Sequence, residues 1–102
     1  MREVLVMITT VSNEEIARNI SNSLIEKKLA ACISLKKISS IYKWGGDIEE
    51  AEEIEITIKS KLELKDNLIE ALQKMTTYEV PQILYKKFQS DSKYYDWLKS
   101  SF

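Results

Sequence analysis

The residues in this chain that could do chemistry are few. Cys32 is the only cysteine among 102 residues, and there is no histidine. A thiolate suits copper(I) or zinc, but a metal site needs several ligands, and the soft partners available are Met7 and Met75. Cys32 also follows Ala30-Ala31 in an apolar stretch, where a free cysteine behaves as a small hydrophobe. The acidic run Glu49-Glu50, Glu52-Glu53 and Glu55 offers oxygens to hard cations, without the spacing and turn glycine of a calcium loop. A solvated strand face explains the same run. Trp44, Tyr94 and Trp97 could stack on a planar ligand, and aromatics are equally the favoured anchors of protein interfaces. Without histidine, a nucleophile–base pair has only lysine or a carboxylate to draw on. The stretch Thr9-Thr10-Val11-Ser12-Asn13 has neither the arginine nor the glycine of a phosphate-cradling loop. The expectation is a protein that binds and does not turn over a substrate, so not an enzyme.

Composition narrows the partners. Fifteen basic and sixteen acidic residues are interleaved to a net charge of −1. Only Arg2 and Arg18 carry the fork that grips phosphate, so no nucleic-acid partner is expected. A single cysteine excludes an intramolecular disulfide framework. The opening Met1-Arg2-Glu3 leads into an apolar run too short for a signal core or a membrane span. The expected location is cytoplasmic, with no membrane insertion.

Hydropathy patterning supplies the elements that would position these residues. Residues 3–10 form a β-branched apolar run suited to a buried strand. Ser12 and Glu15 have capping-box spacing, and Ile16, Ala17, Ile20 and Leu24 make a helical stripe ending at Lys27-Lys28. From Ala30 to Trp44 a long strand changes phase: Ala31, Ile33 and Leu35 alternate in one register, and Ile38, Ser40, Tyr42 and Trp44 in the other. That change predicts a β-bulge at Lys36-Lys37. Gly45-Gly46-Asp47 turns the chain into a strand with Ile54, Ile56 and Ile58 on one face. Residues 63–75 are helical on the spacing of Leu64, Leu68, Ala71, Leu72 and Met75. A strand over Gln82–Phe88 starts next to Pro81, and Asp91 caps a last helix carrying Tyr94, Trp97 and Leu98. The order is a split β-α-β-β-α-β, an α+β ferredoxin-like plan with a long hairpin between its second and third strands and an extra C-terminal helix. Residues 1–102 are expected to form a single domain. Ile41, Tyr42 and Trp44 fall at the tip of that hairpin, where a lone copy would leave them wet. Pairing with neighbouring copies is expected, and a ring of three is one closed arrangement.

The segments Leu29-Ala30-Ala31-Cys32-Ile33, Ser40-Ile41-Tyr42-Lys43-Trp44-Gly45-Gly46-Asp47-Ile48-Glu49, Ile58-Lys59-Ser60, Tyr78-Glu79-Val80-Pro81-Gln82-Ile83 and Tyr94-Tyr95-Asp96-Trp97-Leu98 together resemble the CutA divalent-cation tolerance family. The resemblance spans essentially the whole chain in order. It implies a ferredoxin-like fold, a tight homotrimer, a role in tolerance of divalent metals such as copper, and similarity to the trimeric PII signalling proteins. It admits a divalent metal or copper as a cofactor, with Cys32 and Glu79 as ligands, and a protein as a further partner. Where the family commonly has His-Pro, this chain has Thr76-Thr77, so no histidine ligand comes with the resemblance. Lys59, Tyr78 and Glu79 lie in the resembling segments and are expected to line a small polar pocket between subunits, holding an anion or nucleotide. Tyr42, Trp44 and Trp97 are expected at the trimer interface.

Overall fold

The structure is a computed structural model that describes residues 2–102. Strand β1 (Glu3–Val11) is followed by helix α1 (Glu14–Glu26). Strands β2 (Cys32–Trp44) and β3 (Asp47–Ser60) form the hairpin. A 3-10 turn (Leu62–Leu64) leads into α2 (Lys65–Met75), then β4 (Leu84–Gln89) and α3 (Ser92–Ser100). The four strands make one antiparallel sheet in the order β2-β3-β1-β4. This is the ferredoxin-like α+β arrangement with a C-terminal helix added.

The sheet's register assigns every side chain to a face. Leu5, Met7, Thr9 and Val11 of β1 stand opposite Ser60, Ile58, Ile56 and Ile54 of β3. On the same face Ile33 and Leu35 of β2 stand opposite Ile58 and Ile56. Ala17, Ile20 and Leu24 of α1 and Leu68 and Leu72 of α2 close this face into the hydrophobic core. Two buried apolar residues lie outside that cluster, Val4 on the other face of β1 and Leu98 of α3. Alternation along the strands puts Val6, Ile8, Thr10, Cys32, Ile38, Ser40, Tyr42, Trp44, Glu53 and Lys59 on the face turned away from α1 and α2.

The phase change in β2 is real, but no bulge accompanies it. Pairing runs without interruption from Cys32 opposite Lys59 to Trp44 opposite Asp47. The apolar residues change face because the cover changes. The core cluster reaches along the hairpin to Ile33, Leu35 and Ile54. Beyond it the hairpin projects, giving the molecule extents of 46 × 24 × 22 Å. Its 13-residue β2 spans about 43 Å at roughly 3.3 Å per residue. Gly45 and Gly46 make the two-residue turn with φ of 62° and 88°. Both are left-handed, as a type I′ hairpin turn requires.

Local chemistry sets the other boundaries. Helix α1 is capped by Asn13 and not by Ser12: Asn13 Oδ1 accepts a hydrogen bond from Ile16 N at 2.9 Å. The third helical position is therefore Ile16, and the reciprocal acid of a capping box is missing. Glu14 and Glu15 still place two carboxylates in the first turn, next to the positive end of the helix dipole. At the other end Lys28 adopts φ 58°, and Leu29 N donates to Leu24 O at 2.9 Å. This is a left-handed terminator occupied by lysine where glycine is usual. The second helix begins with a 3-10 turn before α2 proper. Strand β4 begins two residues later than the pattern suggested. Its pairing to β1 ends at Ile8 opposite Leu84, which leaves Pro81, Gln82 and Ile83 in the connector. Asp91 caps α3 as expected, its Oδ1 accepting from Tyr94 N at 3.4 Å.

Candidate functional site

The two ends of the open face carry different groups. At the end where β2 begins, Cys32 stands opposite Lys59. Lys59 Nζ donates to Ser34 Oγ at 3.3 Å. Helix α3 comes close here: burial, and then the neighbouring Cys32, hold the Tyr94 phenol above its ordinary pKa. Tyr94 and Trp97 pack with ring centroids 5.6 Å apart at 35°. Cys32 is half-buried and free. Its soft partners are out of reach on geometric grounds. Met7 is fully buried on the opposite face of the sheet, and Met75 packs against the core from α2.

At the other end the hairpin and the connector between α2 and β4 enclose an open cavity of about 550 Å³. Tyr42 and Trp44 come from β2, Glu53 from β3, and Tyr78, Glu79 and Gln82 from the connector. The cavity is tied together by one long-range hydrogen bond, from Tyr78 Oη to Glu53 Oε2 at 2.7 Å. Tyr78 N donates to Thr76 Oγ1 at 3.1 Å, so the threonine that stands at the histidine position of the resemblance serves to turn the connector. Burial chiefly, and then the hydrogen bond and charge of Glu53, push the Tyr78 phenol far above its usual range. Tyr78 is therefore a neutral donor at all ordinary pH. Tyr42 and Trp44 remain 45% and 55% exposed, and Trp97 on α3 is 48% exposed.

The structure thus brings together some of the residues expected to form sites and separates others. Tyr78 and Glu79 share the cavity with Tyr42 and Trp44. Lys59 lies six positions along β3 from Glu53, about 20 Å away at the strand rise, and does not line that cavity. Cys32 and Glu79 sit at opposite ends of the open face and do not form a pair within one chain. Among the described residues no cluster of three or more cysteine, aspartate or glutamate side chains could hold a metal ion. The donor set that the described residues of one chain supply therefore does not fit a resident divalent metal. The acidic run is divided between faces and partners: Glu52 Oε1 accepts from Ser39 Oγ at 2.7 Å, while Glu53 serves Tyr78. Sequence reasoning missed Glu53 as the acceptor for Tyr78 and missed Gln82 in the lining. The Tyr78–Glu53 contact joins positions 25 apart, and no local pattern encodes it.

Residues 5–101 match the family described as CutA1 divalent ion tolerance protein. The divalent-cation tolerance protein CutA of Thermus thermophilus is 33% identical over 98 residues, covering 94% of this chain and 95% of that protein. The chloroplastic protein CutA of Arabidopsis thaliana is 33% identical over 99 residues, which is 95% of this chain but 54% of the longer plant protein. The solved structure of CutA from Synechococcus elongatus superposes with a TM-score of 0.95 at 34% identity, covering 99% of this chain and 91% of that one. Among the described residues no helix is long and apolar enough to cross a membrane.

Proposed function

The chain belongs to the CutA1 divalent ion tolerance family, and on that premise we propose that it is a cytoplasmic homotrimer, one domain per chain over residues 1–102, that contributes to tolerance of divalent metal ions such as copper. It acts by binding and scaffolding, not by turnover. The observation that carries the trimer is exposed apolar surface on the open face and on both faces of the projecting hairpin tip. Tyr42, Trp44 and Trp97 lie about half exposed, and Ile41 and Ile48 at the hairpin tip are 70% and 77% exposed. Leu84 and Phe88 of the edge strand β4 are 57% and 47% exposed. Apolar surface on this scale, next to an edge strand, is what a neighbouring copy would cover. The reading without turnover rests on a sequence that has no histidine to serve as general base. Because the described residues of one chain supply no ligand set, metal tolerance is a response of the assembly and not of a metal centre within a chain.

A second reading is favoured by one observation. The cavity at Tyr78 and Glu79 opens beside the interface residues Tyr42 and Trp44, which suits a PII-like sensor that takes a small ligand between subunits. A third role, anchoring another protein, uses the same exposed face. Solution mass by light scattering, with and without copper(II) plus reductant, separates these readings. A mass of three chains supports the trimer, and a monomer refutes it. A change of association state with copper, lost in Cys32→Ser, places the metal on the assembly through Cys32. A trimer indifferent to copper favours the sensor or the anchor.

A further inference from the structure

We draw no further inference here: the strongest candidate, the open groove of about 520 Å³ between α2, the connector and β4, lined by Ile69, Val80, Pro81, Ile83 and Tyr85, carries nothing because nothing in the structure shows what covers it.

Discussion

Tyr78→Phe isolates the hydrogen bond that ties the connector to the hairpin. The substitution keeps the ring and removes only the hydroxyl that donates to Glu53 Oε2 at 2.7 Å. A hydrogen bond to a charged group contributes about 1.5–3 kcal/mol net when well protected. Tyr78 is half-buried and Glu53 can turn to water once released, so a loss near the lower bound, about 1–1.5 kcal/mol, is expected. For a domain of this size each kcal/mol moves Tm by about 4–8 °C, which predicts a fall of roughly 5–10 °C at fixed protein concentration. The pH dependence gives an independent readout. The native phenol holds its proton more tightly than the unfolded chain, whose tyrosines titrate near pH 10 (about). Below that pH both states are protonated and the stabilisation is fully present. Above it the unfolded state binds fewer protons than the native one, so stability falls as pH rises. Urea unfolding from pH 8 to 11 should therefore show a steeper alkaline loss in the parent chain than in Tyr78→Phe. A double-mutant cycle with Glu53→Ala should give a coupling of about 1 kcal/mol. Additivity within about 0.3 kcal/mol, or parallel pH profiles, would refute the reasoning.

Other perturbations probe other levels of the structure. Trp44→Asp puts a charge on the projecting hairpin and is expected to reduce the scattering mass from three chains to one, with far-UV circular dichroism unchanged; a stable trimer would contradict the proposed role of the tip. Lys28→Gly replaces a residue held at φ 58° and should raise stability by about 0.5–1 kcal/mol in urea unfolding, because the left-handed conformation costs lysine about 1–2 kcal/mol, partly offset by the greater freedom of glycine when unfolded. Leu24→Ala empties a fully buried position of α1 and should cost about 2–5 kcal/mol by the same assay.

Much of the architecture follows from local chemistry and is legible in the chain. The apolar run of β1, the stripe Ala17, Ile20 and Leu24, the alternation of Ile54, Ile56 and Ile58 and the cap at Asp91 each have a period or a spacing that one element satisfies and others do not. The paired glycines at 45 and 46 admit the left-handed turn that sets the hairpin register. Small shifts at element ends escape such reasoning because near-equivalent residues compete. Ser12 and Asn13 can both cap by residue type, and the folded helix uses Asn13.

What only the tertiary structure decided is which face each residue meets. The phase change of β2 is visible in the sequence, yet its cause is the end of the helical cover, a fact about packing in space, so a bulge was the natural but mistaken inference. The same holds for the site. Tyr78 and Glu79 are neighbours in the chain, but their aromatic and acidic companions arrive from the hairpin, and Lys59 is carried by its strand to the far end. Local patterns encode periods and caps because these arise between residues a few positions apart. A cavity built from Tyr42, Glu53 and Tyr78 depends on strand register and connector path, and those are set by the packing of the whole chain.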